Sequence, residues 1–292
     1  MNVTMACIAG EEIHRQWDAG RFAGKVLGPR TTPFGPSGEI FLVDSDQAFY
    51  LLPRYGPRMR KTPVHGINHR ANLYALKDLG VVQVLSWAPG GAVTHEFSIG
   101  EAVVLDDLID QTYLRAKTFF EDSPLGYLRE FPVFCPGLRR VLCEVLEAMK
   151  LHHHCTGIAA VREGPRMETP AEVRMLGAMG AQVVTHHFVP EVFLAKELEL
   201  CYGAICYPVN YAETGSRHRP FASGELFGNL SQRSDRERLN STLTSMEPFL
   251  RQLAVAVASA KRECECGQTM ARNKGAYGLS EDWRQWFKGI DH

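Results

Sequence analysis

Apolar positions along the chain switch repeatedly between a period of two and a period near 3.6, the rhythm of layered α/β proteins. Two extended stretches, Glu39 to Val43 and Ala48 to Leu52, flank a polar Asp44-Ser45-Asp46 turn and predict a hairpin. Leu73, Leu76 and Leu79 lie at helical spacing within Ala71 to Leu79, which stops at Gly80 and gives way to the strand-like VVQVLS. A strand is expected at Ala102 to Leu105, followed by an acidic segment, DDLIDQT. The clearest helix follows Cys135: Pro136 suits a first turn, and Leu138, Val141, Leu142, Val145, Leu146 and Met149 form one apolar face. Strand-like GIAAV, helical PAEVRMLGAMG, strand-like AQVV, helical VPEVFLAKELEL and strand-like YGAICYPV then follow in a βαβαβ succession.

From Thr214 the chain turns polar and glycine-rich and reads as a loop. Helical spacing resumes at Leu243, Met246, Leu250, Leu253 and Val257. The last stretch ends in Trp283, Trp286 and Phe287, three or four residues apart, and reads as a tail docking on its own or a neighbouring subunit. The pattern predicts a single α/β domain over 1–292, a central mixed sheet flanked by helices, with 264–292 as a C-terminal extension.

Composition narrows the function. The chain has 292 residues, 45% of them apolar, and 32 Lys+Arg stand against 33 Asp+Glu, so no positive field favours nucleic acid or a membrane surface. The N-terminus has no cationic start and no span-length apolar run, which predicts a cytoplasmic protein. The eight cysteines lack the spacing of a disulfide framework, and most are expected as buried thiols. No metal site is expected. His152, His153 and His154 read as a solvated strand start, and Cys264 and Cys266 as lacking a second ligand pair.

Walker A, dinucleotide-glycine, HExxH and GxSxG patterns are all missing. What stands out is EGPRMETPAEVR, Glu163 to Arg174. A strand ends there in a Gly164-Pro165 turn, displays Arg166, Met167 and Glu168, and enters a helix at Pro170. Residues at the C-terminal ends of strands lie where open α/β sheets bind ligands. The same spacing also describes a plain capped helix start.

With that motif the chain resembles the trimeric purine nucleoside phosphorylases, especially their methylthioadenosine and methylthioinosine phosphorylase branch. The resemblance runs from Ile8 to Ala212 through TPFG (Thr32 to Gly35), INHRAN (Ile67 to Asn72), DLIDQT (Asp107 to Thr112), EGPRMETPAE, VPEVFLAKE (Val189 to Glu197) and VNYA (Val209 to Ala212). It implies a three-layer phosphorylase-type fold, a homotrimer, and cleavage of a purine N-glycosidic bond by inorganic phosphate with no organic cofactor or metal.

By the same resemblance Glu168 and Asn210 form the base site, with Met167, Tyr211 and Ala212 beside them. A carboxylate accepts from N1–H of a 6-oxopurine but faces a bare acceptor in adenine, so Glu168 favours hypoxanthine or guanine. Asn210 offers its amide to O6 and N7; as a residue by itself it reads equally as a turn former. His186 stands where the family has a methionine under the ribose, and Tyr127 where a neighbouring subunit's histidine touches the 5' group. The phosphate site maps onto Glu11, Arg54, Tyr55, Ala88, Pro89 and His187, of which only Arg54 matches the family, and His65 takes a supporting role. A carboxylate at ~4 Å from a phosphate charge repels it by about 4 kcal/mol at an effective dielectric of ~20. Protonated His187, or Arg58 and Arg60, would offset part of that. Two other functions therefore stay open: a pocket that binds nucleosides or flat aromatics without phosphorolysis, and a phosphate-independent nucleoside hydrolase.

Overall fold

The computed structural model describes residues 3–56, 62–212, 221, 223–224 and 233–287. Its strands are β1 (Met5–Ala9), β2 (Gly24–Gly28), β3 (Thr31–Thr32), β4 (Gly35–Pro36), β5 (Ile40–Val43), β6 (Phe49–Pro53), β7 (Gln83–Ala92), β8 (Ala102–Val104), β9 (Asp107–Gln111), β10 (His153–His154), β11 (Ile158–Arg162), β12 (Val183–Thr185) and β13 (Cys201–Tyr211). The helices are α1 (Glu12–Asp18), α2 (His69–Asp78), α3 (Pro136–Ala148), α4 (Pro170–Ala178), α5 (Glu191–Glu197), α6 (Arg233–Ser259) and α7 (Ala271–Tyr277). Eleven strands form one mixed sheet, ordered β10-β8-β13-β7-β1-β6-β5-β2, with β12 joining β7 and carrying β11 and β9 beyond it. The expected hairpin is β5–β6, with Phe41 opposite Leu51.

Side-chain alternation divides the core between the two faces of the sheet. From β1, Met5, Cys7 and Ala9 join the cluster that holds the α3 stripe and Phe249, Leu250 and Leu253 of α6. Ala6 and Ile8 turn to the opposite cluster, with Leu73 and Leu76 of α2 and Val192 and Leu194 of α5. β6 divides in the same way. Pro136 opens α3 beneath the Cys135 N-cap, and Thr169 and Glu172 form a reciprocal capping box at the start of α4.

Four points go beyond or against the sequence reading. DDLIDQT forms β9, parallel to β11. The tail docks on its own chain: Phe287 is buried, its ring within 5.4 to 5.7 Å of Phe34, Tyr74, Phe119 and Phe120. Six cysteines are free thiols as expected of most, while Cys143 and Cys155 form a disulfide. Finally, Cys264 and Cys266 do have a second pair, because the fold places Cys135 and Cys201 beside them. The glycine-rich loop from Thr214 lies largely outside the described residues, as do Arg58 and Arg60. No described helix is long and apolar enough to cross a membrane.

Candidate active site

β1, β6, β7 and β13 run parallel, so their C-terminal ends meet along one edge of the sheet. That edge is where an open α/β sheet offers a crevice. β12, antiparallel to β7, delivers Thr185 and the loop after it to the same place.

Glu168 sits in the connection between β11 and α4. Its carboxylate is largely buried, with Oε1 3.5 Å from His186 Nε2 and 3.9 Å from Arg162 Nε, and Oε1 accepts no hydrogen bond. Arg162 spends its own donors on Gln111 (2.6 Å) and Glu172 (2.8 Å). His186 reaches Glu168 by packing over Gly164. A Cβ there would meet His186 Nδ1 at 2.9 Å, and the backbone is left-handed at φ +65°, so the turn requires glycine. Asn210 is buried near the end of β13, just past a bulge, in register with Gly91, and its amide donates to the Tyr211 carbonyl at 2.9 Å. Val184 is also in register with Gly91. Two strand spacings, about 10 Å, therefore separate Asn210 from the strand that feeds His186. Ala212 packs against the α4 side, Tyr211 lies 5.9 Å from His95, and Met167 is partly exposed beside Glu168.

Arg115, which sequence reasoning did not single out, holds this half together. It is buried, and all five of its donors are used: on Glu163 Oε1 and on the carbonyls of Arg162, Glu163, His186 and Val189. It thus ties the segment that presents Glu168 to the loop that carries His186 and His187.

The other half is built on charge. Arg54, at the end of β6, donates Nε and Nη2 to Glu191 and Nη2 to Ser86, while Nη1 is buried without a partner. Glu191 also accepts from Tyr202 at 2.7 Å. Burial opposes its charge, yet the Arg54 guanidinium holds its carboxyl well below the usual carboxylate range. Glu191 lies inside the VPEV motif, but its place as Arg54's counter-ion depends on a contact across 137 residues.

Tyr55 and His187 form an internal chain. The Thr185 hydroxyl donates to the Pro89 carbonyl at 2.9 Å, so its oxygen accepts from His187 Nδ1–H, leaving Nε2 to accept from Tyr55 Oη at 2.5 Å. Burial, and next the Arg54 charge, pull His187 well below its ordinary pKa. The expectation of a protonated His187 is therefore corrected: it is a neutral imidazole with both nitrogens engaged. Ala88 offers only an apolar wall within β7.

Glu11 takes the solvent-facing course, the plain alternative for this residue. It is exposed at the helical start of α1, and the residue after it supplies the buried carboxylate. Glu12 folds back over the turn, accepting from Gly10 N at 3.4 Å and Tyr207 Oη at 3.1 Å. A Cβ on Gly10 would approach Glu12 Oε2 to 2.9 Å, so glycine is what admits the carboxylate. Tyr127 is exposed at the end of a 3-10 turn and His65 lies in an exposed one. His154 donates toward Glu101, and His153 engages the Leu151 carbonyl.

Comparison with known proteins shows the family. Residues 37–237 match the model of the phosphorylase superfamily. Over 203 residues the chain is 39% identical to a probable 6-oxopurine nucleoside phosphorylase of Moorella thermoacetica, covering 69% of this chain and 77% of that one. It is 31% identical over 254 residues to the 6-oxopurine nucleoside phosphorylase of Pyrococcus furiosus, covering 85% and 90%. With a probable S-methyl-5'-thioinosine phosphorylase of Methanothermobacter thermautotrophicus it shares 34% identity, covering 70% of each chain. Methylthioadenosine phosphorylase from Schistosoma mansoni, solved with adenine, superposes with a TM-score of 0.77 at 24% identity over 96% of this chain and 99% of that one, a likeness of fold. Sequence and fold agree: the chain belongs to the phosphorylase superfamily, within its purine nucleoside phosphorylases.

Proposed function

We propose that this chain releases the base from 6-oxopurine nucleosides, or from their 5'-methylthio analogues, by phosphorolysis. Inorganic phosphate is its co-substrate, it needs no cofactor, and it works as a homotrimer in cytoplasmic purine salvage. One observation carries the substrate class: the buried Oε1 of Glu168 accepts nothing from the protein. A buried acceptor without a donor is costly, and N1–H of a 6-oxopurine supplies that donor. The names of the Moorella and Pyrococcus relatives support the same class.

In this reading the base enters the crevice edge-on. Glu168 accepts from N1–H, and the Asn210 amide turns from the Tyr211 carbonyl toward O6 and N7, stabilising negative charge as the base departs. His186 covers the ribose, with Met167, Tyr211 and Ala212 lining the base and Tyr127 contributed across a subunit boundary. The free Nη1 of Arg54 faces the attacking phosphate, and Tyr55, Ala88, Pro89 and His187 shape that end.

A second reading rests on Glu12. Its carboxylate takes the Gly10 N–H, the kind of donor an anion would use, which favours weak phosphate binding and leaves water as a competing nucleophile. The deciding experiment assays inosine, guanosine, methylthioinosine and methylthioadenosine with and without phosphate. Phosphate-dependent release of hypoxanthine or guanine with ribose 1-phosphate is expected. Release of free ribose without phosphate would make the protein a hydrolase, and tight purine binding with no release from any substrate would make it a binder.

A further inference from the structure

At the start of β13, the end opposite the crevice, three elements deliver four cysteines to one point. Cys135 caps the N-terminus of α3, Cys201 opens β13, and Cys264 and Cys266 belong to the 3-10 segment that begins the C-terminal extension. All four sulfurs lie within 4.8 Å of one another, and Cys201 Sγ and Cys264 Sγ are 3.3 Å apart without being bonded. A tetrahedral zinc with Zn–S of about 2.3 Å sets its sulfurs about 3.8 Å from each other, so side-chain rotations that move each sulfur by roughly half an ångström would complete the shell.

Two of the four positions are fixed by the core. The Cys135 amide donates to the Tyr202 carbonyl at 2.9 Å, and the Cys201 amide donates to the Val82 carbonyl at 2.9 Å. The surroundings suit an anionic cluster. Cys135 Sγ accepts from the Leu138 amide at the first turn of α3, and Arg262 Nε donates to Cys201 Sγ at 3.2 Å while its Nη2 is braced on the Glu199 carbonyl. Four thiolates around a divalent ion leave a net charge of −2, which a helix N-terminus and a guanidinium both offset. Small cavities of about 30 and 20 Å³ flank the sulfurs on either side.

We infer that Cys135, Cys201, Cys264 and Cys266 form a structural tetrathiolate site for zinc that fastens the C-terminal extension to the catalytic domain. On binding, each thiol loses its proton to solvent and the ion takes four sulfur donors, with no open position for a substrate and no redox change. The extension beyond the site carries α7 and the Trp283, Trp286 and Phe287 cluster, so the clamp sits where the chain leaves α6 and begins to fold across the sheet.

The test uses the whole chain, purified under reducing conditions without chelator. Elemental analysis is expected to find about one zinc per chain, lost at least tenfold in Cys264→Ser/Cys266→Ser. Because that variant can fail to fold, the wild-type protein is also stripped of metal and titrated with cobalt. Thiolate-to-cobalt charge-transfer bands with a tetrahedral d–d envelope, saturating at one equivalent, are expected. Two results would each overturn the site: no such bands, or zinc retained undiminished by the folded double variant.

Discussion

Glu168 and Glu197 show what burial does to a carboxylate with and without partners. Glu168 keeps one oxygen unpaired beside His186, so its removal takes no hydrogen bond from that oxygen away from the free protein. Glu168→Ala is therefore expected to lower kcat/KM for inosine by roughly 100-fold, the worth of a charge-assisted bond to N1–H, while the denaturation midpoint holds or rises. Steady-state kinetics beside a urea titration would show it, and equal losses in both would assign Glu168 to the fold. Glu197 is the opposite case. It accepts from the Phe119 amide at 2.7 Å and the Thr118 hydroxyl at 2.5 Å, yet burial pushes it up to about 7. Its folded value lies above the unfolded one, so the unfolded chain gives up the proton first. The stability present below the unfolded value is lost as pH rises toward 7, in all about 3 kcal/mol. Urea denaturation between pH 5 and 8 is expected to show that decline in the wild type and a flatter profile in Glu197→Gln.

Among elements, the connections made by Arg115 separate what was legible in the sequence from what was not. The β5–β6 hairpin, α2, α3 and the β11-to-β13 succession follow from local period and turn residues, and the structure has them at nearly the expected bounds. β9 did not follow, because Asp107 and Asp110 look like loop residues. Their carboxylates are satisfied locally, on the Leu108 and Thr112 amides and on Lys117, which lets an acidic sequence pair as a strand. In the site, Glu168, Asn210, Arg54 and His187 were named from motif positions. Arg115, Glu191 and Glu12 were missed, since their partners lie 48, 137 and 195 residues away. At α1 the helix start turns Glu11 to solvent and Glu12 inward, a one-residue difference that a motif position does not show. Arg115→Met should test the long-range part. It takes the guanidinium away from the buried Glu163 carboxylate, whose Oε2 keeps the Tyr113 and Leu114 amides, and frees four carbonyls, so a loss of about 3 kcal/mol in stability is expected. Activity should fall by more than that loss explains under folded conditions, because the supports of Glu168 and His186 part. Paired unfolding and kinetic measurements would settle it, and full activity in the folded fraction would confine Arg115 to stability.

At the scale of the whole molecule, the distribution of apolar surface bears on assembly. Tyr113, Leu114, Tyr127 and Phe131 are the four most exposed large hydrophobic side chains among the described residues, Phe131 at 92%, and all lie in the connection between β9 and α3. Scattered exposure of this kind needs no explanation, but four such residues on one connection, which also carries Arg115 and through it the Glu168 segment, fit a surface covered by a second copy. A cyclic trimer buries such a patch without leaving a free end, and it would bring Tyr127 of one chain to the crevice of the next. Light scattering on the purified protein at micromolar concentration is expected to give three times the 32.6 kDa chain mass. Phe131→Asp places a charge at the most exposed of these positions and touches nothing buried, so it should shift the population toward monomer while circular dichroism stays unchanged. If the crevice is completed by the neighbour, kcat/KM should fall with the trimer fraction as the variant is diluted and recover as it is concentrated. Concentration-independent activity in a protein that scatters as a monomer would remove both the trimer and the role assigned to Tyr127, leaving the exposed aromatics as surface for some other partner.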